Sequence, residues 1–184
     1  METIVFASTN QNKFLEVQLI LSSWKISVDF SQIHLVEIQS DSLEEIAREK
    51  VKTAFAKVGR PVIVEDGGLF INSLGGFPGQ YSSFVFKTIG NDGIVKLLEG
   101  SARRSACFRS LVAFCDGKIL SISDGKVDGT ISRTITDGGW GYDPIFVPAG
   151  TDLTFAQLNE SKNEYSHRKR ALEKFAHWYL NLRC

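Results

Sequence analysis

The chain has 184 residues, with 21 Lys and Arg against 21 Asp and Glu, so its formal net charge is zero. That length suits a single domain over residues 1–184, and 43% hydrophobic with 23% charged residues exclude the disordered and fibrous classes. Nucleic acid or an anionic membrane would feel little long-range attraction from a balanced chain, so any anion site must be a local basic cluster.

Met1 to Ala7 carries an acid at position 2 and no Lys or Arg, which does not fit a signal peptide. No apolar run approaches the ~18 residues of a membrane span. Cys107, Cys115 and Cys184 are odd in number. The first two fall on one predicted strand, where eight steps of roughly 3.3 Å hold them ~26 Å apart, beyond the ~7 Å reach of a disulfide. Three reduced thiols in a cytoplasmic protein are expected.

In chain order, Thr3 to Ala7 is a β-rich run that breaks into the polar Ser8-Thr9-Asn10-Gln11-Asn12-Lys13, and Phe14, Leu15, Leu19 and Ile20 then suggest a helix. Ser42 precedes a stripe of Leu43, Ile46, Ala47, Val51, Ala54, Phe55 and Val58, with Ser42 and Glu45 reading as a capping box. Gly59-Arg60-Pro61 ends that helix, and Val62-Ile63-Val64 reads as a central parallel strand covered on both faces. Further on, Arg104 to Cys115, Lys118 to Ser123 and Val127 to Ile135 are strand-like. The Asp-Gly pairs at 116–117, 124–125 and 128–129 signal tight hairpins. Ser166 is a plausible N-cap for a last helix bearing Ala171, Leu172, Phe175, Ala176, Tyr179 and Leu182. The expectation is an α/β protein with a long mixed sheet, part parallel and part meander, flanked by helices.

Four segments carry candidate chemistry. Ser8 to Lys13 sits between a strand and a helix N-terminus, where backbone donors and the dipole suit phosphate; the other reading is a polar loop with an N-cap. It lacks the glycines of a Walker loop or a dinucleotide fingerprint. Glu65-Asp66-Gly67-Gly68, expected where the apolar strand ends, suits Mg²⁺ and a directed water, with Glu37 as an additional ligand. The alternative there is an acidic turn whose glycines supply positive φ. Gly138-Gly139-Trp140-Gly141-Tyr142-Asp143-Pro144 offers rings to stack on a base and a carboxylate to accept from it, or else a hairpin whose Trp caps the core. Lys162 with Ser166-His167-Arg168-Lys169-Arg170 is the local basic cluster, either a solvated helix face or a site for an anion or electronegative base edge. His34, His167 and His177 form no ligand-spaced cluster with the cysteines, which disfavours a zinc enzyme.

Ser8 to Lys13, Glu65-Asp66-Gly67-Gly68-Leu69, Gly76-Phe77-Pro78-Gly79-Gln80-Tyr81-Ser82-Ser83, Gly139-Trp140-Gly141-Tyr142-Asp143-Pro144-Ile145-Phe146 and Ser166-His167-Arg168 occur in this order. Together they resemble the inosine triphosphate pyrophosphatase family over nearly the whole chain. The resemblance implies Mg²⁺-dependent hydrolysis of inosine, deoxyinosine and xanthosine triphosphates to the monophosphate and pyrophosphate, by a homodimer. It also implies an elongated mixed sheet with two lobes and a central substrate cleft. Carried over by motif, Ser8, Thr9, Asn10, Gln11, Asn12 and Lys13 bind the triphosphate, with Gly67 beside them, and Lys50 reaches the same phosphates. Glu37 and Asp66 hold the metal, with Asp66 also the proton acceptor; the adjacent carboxylate of Glu65, read from the residues alone, is a further ligand or the actual base. Trp140, Gly141, Tyr142, Asp143, Lys162, His167 and Arg168 surround the base. Three departures stand out: Gly67 where Ser is usual, Trp140 where Phe is usual, and Ser83 in place of an Arg.

Such residues suit in-line attack of water on the α-phosphorus, because Lys13, Lys50 and Mg²⁺ would neutralise the developing charge. Arg168 offers only donors, which match a 6-keto purine and oppose adenine's amino group. Two rivals are a pyrophosphatase of modified pyrimidine nucleotides and a non-catalytic nucleotide-binding module.

Overall fold

The structure is a computed structural model and describes residues 3–182. Cys184, expected as a reduced thiol, and the first two residues of the N-terminal reading lie outside them. The elements are β1 (Ile4–Ala7), α1 (Gln11–Ser23), β2 (Val28–Ser31), α2 (Leu43–Val58), β3 (Val62–Ile71), β4 (Pro78–Gly79), α3 (Ser82–Thr88) and α4 (Gly90–Leu97). There follow β5 (Ser105–Cys115), β6 (Leu120–Ile131), β7 (Phe146–Pro148), α5 (Phe155–Leu158), α6 (Lys162–Tyr165) and α7 (His167–Asn181). The strands form a seven-stranded mixed sheet in the order β2-β1-β3-β5-β6-β7, with β4 on β3. β1 runs parallel to β2 and β3, while β4 is antiparallel to β3 and β7 to β6. The expected α/β class with a mixed sheet and flanking helices is what the chain adopts. Among the described residues no helix is long and apolar enough to cross a membrane.

The chain divides into two compact units. The first holds residues up to Asp66, Ser110–Gly125 and Arg168 onward; the second holds Gly67–Arg109 and Lys126–His167. In the first unit alternate strand residues point to opposite faces of the sheet. Ile4, Phe6, Ile63, Val112 and Phe114 pack with Val17, Ile20 and Leu21 of α1 and with Leu172, Phe175 and Tyr179 of α7. Val5, Ala7, Val62, Val64, Leu111 and Ala113 pack with Leu43, Ala47, Val51 and Ala54 of α2. In the second unit Leu69, Ile71, Phe108, Val127, Phe146 and Phe155 form one cluster. Full burial of each Val, Leu, Ile or Phe among them contributes about 1.5–3 kcal/mol.

Local chemistry sets the helix ends. Ser42 Oγ accepts from Glu45 N at 3.2 Å, and Gly59 closes α2 in the left-handed region at φ 68°. Only half of the expected capping box forms, because the Glu45 carboxylate accepts from Ser40 Oγ. In α1 the buried stripe is Val17, Ile20 and Leu21, whereas Leu15 and Leu19 face outward. Leu182 lies past the end of α7 and is exposed. Cys107 and Cys115 share β5, and neither is in a disulfide.

Two expectations about turns are corrected. Asp116-Gly117 does turn, with Asp116 Oδ1 accepting from Lys118 N and Ile119 N. Asp124-Gly125 and Asp128-Gly129 do not, because both pairs lie inside the single strand β6. Gly129 is there for space, since a Cβ would sit 2.3 Å from the Val147 carbonyl oxygen and 2.7 Å from the Phe146 ring. Likewise Glu65-Asp66-Gly67-Gly68 is not a turn at a strand end but the middle of β3. Neither glycine has positive φ. Gly68 is required by the Gly79 carbonyl oxygen, which a Cβ would meet at 2.3 Å. Gly129→Ala should therefore destabilise the protein by about 1–3 kcal/mol through overpacking, read as a lower denaturant midpoint, whereas a hairpin glycine in open space would show no clash.

Candidate functional site

Within the first unit the polar loop after β1 is closed by its own side chains. Ser8 Oγ accepts from Asn10 N at 3.1 Å, and Asn10 Oδ1 caps α1 by accepting from Lys13 N at 3.2 Å. The N-cap reading of this loop is thus present in the geometry, and Thr9, Gln11 and Asn12 remain exposed at the helix N-terminus. Lys13, one turn into α1, reaches β3, where its ammonium donates to the Glu65 carbonyl oxygen at 3.2 Å and pairs with Glu65 Oε2 at 2.8 Å.

Glu65 is a charged group without solvent. Its side chain is 0% exposed. Ser110 Oγ of β5 donates to Oε1 at 2.6 Å, and Arg168 Nη2 at the head of α7 stands 3.4 Å away. Burial disfavours the anion, but Arg168 and Lys13 outweigh burial and hold the Glu65 carboxyl well below the usual carboxylate range. Arg168 is itself buried and also pairs with Glu16 of α1. Burial works against its charge, and Glu65 and Glu16 more than restore it, holding its pKa above the ordinary value.

Beside this lies a second ion cluster. Lys50 of α2 donates to Asp66 Oδ1 at 2.7 Å and to Glu37 Oε1 at 2.5 Å, so one ammonium bridges two carboxylates. Burial lowers and the two carboxylates raise the Lys50 pKa, with the net result above the ordinary lysine value. Glu37 stands in the irregular segment after β2 and is half exposed. Among the described residues the buried Asp66 Oδ2 has no hydrogen-bond partner.

The oxygen donors of Glu37 and Asp66, with that unpartnered Oδ2, fit a hard divalent cation. Among the described residues no group of three or more His, Cys, Asp or Glu assembles, so an all-protein cage is not available. Two carboxylates suit Mg²⁺, which keeps waters and takes phosphate oxygens as further ligands. The charges agree: Lys13, Lys50 and Arg168 face Glu16, Glu37, Glu65 and Asp66, three cations against four carboxylates. A divalent cation would turn this net of minus one into plus one.

The second unit holds the aromatic motif. Lys162 of α6 pairs with Asp143 Oδ2 at 2.8 Å and lies 5.0 Å from the Trp140 ring centroid, and Asp143 Oδ2 also accepts from Trp140 N. Trp140, Asp143 and Lys162 are thus brought together. Tyr142 is buried, and its hydroxyl donates to the Ser82 carbonyl at 2.9 Å, so it anchors the motif; burial pushes its phenol pKa up. Gly141 at φ 61° accepts from Asn91 Nδ2 at 3.0 Å. His167 is buried, with its ring stacked on Phe108 at 4.6 Å. Gly67 is half-buried in β3. Ser83, the second residue of α3, is exposed. A cavity of about 330 Å³ in this unit is lined by Lys96, Glu99, Arg104 and Arg133 among others and holds none of the candidate residues.

Sequence reasoning missed Glu16, Ser110 and Asn91, and it met Ser82 inside the Gly76 to Ser83 motif without giving it a role. Only Glu16 had a sequence signal, an acid three residues after Lys13 on one helical face.

The Ham1 family model matches residues 4–178. A dITP/XTP pyrophosphatase of Methanopyrus kandleri is 48% identical over 97% of this chain and 96% of its own. One of Saccharolobus solfataricus is 47% identical over 92% and 89%. Among solved structures, a HAM1 protein from Coxiella burnetii matches with TM-score 0.85 at 29% identity, covering 98% of this chain and all of that one. The Staphylococcus aureus Ham1 protein matches with TM-score 0.81 at 26% identity, covering 96% and 98%.

The lowered Glu65 pKa fixes the sign of a pH effect. A depressed carboxyl stabilises the fold above its unfolded pKa, about 4.3, and loses that contribution as pH falls toward the folded value. Removing the charge should cost about 3 kcal/mol at pH 7. The stability gap between the wild type and Glu65→Gln, measured by urea unfolding, should then close by about 1.4 kcal/mol per pH unit below about pH 4.

Proposed function

Since the chain belongs to the Ham1 family, we propose that it hydrolyses non-standard purine nucleoside triphosphates, those of deoxyinosine, inosine and xanthosine, to the monophosphate and pyrophosphate. The observation that carries this reading is the pair of linked ion clusters in the first unit, where lysines for phosphate and carboxylates for a cation stand side by side. Names of relatives agree with it, since the Methanopyrus kandleri and Saccharolobus solfataricus proteins are called dITP/XTP pyrophosphatases.

Glu37 and Asp66 would hold Mg²⁺, which when bound polarises phosphoryl oxygens as a Lewis acid and offsets charge on the departing pyrophosphate. Lys13 and Lys50 take the phosphate oxygens, and the exposed helix N-terminus at Thr9, Gln11 and Asn12 adds donors and the dipole. Asp66 is also the residue that would orient the attacking water toward the α-phosphorus. Glu65 does not serve as the base in this reading, because Ser110, Lys13 and Arg168 already bind its oxygens and stabilise its anion. Trp140 offers a stacking face and Asp143 an acceptor for base N–H groups, with Lys162 and His167 alongside. Arg168, which offers only donors, suits the 6-keto edge and opposes adenine. Two copies of the chain as a homodimer complete the reading.

The test is pyrophosphate release from deoxyinosine and xanthosine triphosphates with Mg²⁺, beside ATP and GTP. Release from the first two, abolished by chelator and about 10²-fold or more slower in Asp66→Asn, is expected. No release from either would refute the enzymatic reading, and turnover by Asp66→Asn near that of the wild type would remove Asp66 from the mechanism. Light scattering should give twice the chain mass.

A further inference from the structure

We propose that Glu65 is a positioning residue that couples recognition of the phosphates to recognition of the base, because one carboxylate holds both Lys13 and Arg168. This deepens the functional reading above and rests on it. Lys13 is tied to Glu65 twice, through Oε2 at 2.8 Å and through the backbone carbonyl at 3.2 Å. Arg168 approaches the same carboxylate at 3.4 Å, and Ser110 Oγ at 2.6 Å fixes its orientation. Because the Glu65 side chain is sealed from solvent, water cannot replace any of these partners.

The two cations differ in what else they hold. Arg168 also pairs with Glu16, whereas among the described residues Glu65 is the carboxylate paired with Lys13. Removing the charge at 65 would leave two cations beside each other in a low-dielectric setting and release Lys13 most. The phosphate end should then lose affinity, because an untethered Lys13 forfeits more in fixed orientation than the missing carboxylate returns in charge. The base end should lose discrimination, because the orientation of a fork-shaped donor depends on the acceptor it faces. A base or a metal ligand would behave otherwise, since its loss lowers turnover without altering the choice of base.

Glu65→Gln keeps the shape and an acceptor for Ser110 while removing the charge. Steady-state kinetics with inosine triphosphate and ATP, and calorimetric titration with inorganic tripolyphosphate, which has no base, read the two ends separately. The expected result is a KM for inosine triphosphate raised about tenfold, tripolyphosphate bound more weakly by a similar factor, kcat within about threefold, and the preference over ATP reduced about tenfold. A kcat loss of about 10²-fold with KM and preference unchanged would make Glu65 a base and overturn the proposal, and so would equal losses on both substrates. Ser110→Ala leaves every charge in place and serves if Glu65→Gln does not fold. It should shift KM and preference in the same direction by about threefold, and no shift would overturn the proposal. If the wild type releases no pyrophosphate at all, the functional reading fails. The tripolyphosphate titration still decides the Lys13 half, with unweakened binding by Glu65→Gln overturning it.

Discussion

A carboxylate sealed inside a β-strand has to be neutralised where it stands, since an unpaired buried ion costs several kcal/mol. Glu65 imposes that demand from the middle of β3. The groups that answer it come from three elements far apart in sequence: Lys13 from α1, Ser110 from β5 and Arg168 from α7. Glu16, one turn of α1 beyond Lys13, then takes the second side of Arg168 and ties α1 to α7. The apolar packing of the same two helices follows the same geometry, with Val17, Ile20 and Leu21 in one cluster with Ala171, Leu172 and Phe175. Ion pairing and apolar burial thus fix one arrangement together, and that agreement gives a site its rigidity.

Much of this fold is legible in the sequence because local rules and the fold agree there. The stripe of α2, its Ser42 cap and its Gly59 stop can be read directly, as can the apolar run that opens β3. Reading fails where a residue is chosen for a contact distant in sequence. Gly68 and Gly129 look like turn residues, yet each is in a strand because a neighbouring carbonyl oxygen leaves no room for a Cβ. Asp124-Gly125 misleads as a hairpin signal for a related reason, since strand β6 runs straight through it. The acidic pair shows the same limit for the site. Composition marks Glu65 and Asp66 as chemically active, but only the fold separates them. Alternation along β3 sends Glu65 to Lys13 and Arg168, and Asp66 to Lys50. The joining of Glu37, Lys50 and Asp66 has no spacing signature, because it depends on an irregular segment meeting α2 and β3.

The second unit repeats the device with different residues. Lys162 is buried against Asp143 and lies over the rings of Trp140 and Phe155, and Tyr142 anchors the motif through Ser82. A sequence reading takes Tyr142 as a group for the ligand; its hydroxyl is instead committed to the backbone, so it sets the position of its neighbours. In both units the cations of the candidate site are paired with carboxylates of the protein.

That matching bears on how a highly charged ligand is chosen. Unpaired lysines would attract any polyanion, and long-range attraction carries little information about shape. Paired lysines bring little net attraction, and in the first unit the count of three cations against four carboxylates leaves a net repulsion for phosphate. Binding then requires a partner charge supplied from outside together with good geometry at several fixed donors, and a ligand that satisfies only one of these gains little. The zero net charge of the whole chain points the same way: with no overall attraction for a polyanion, selection rests on orientation.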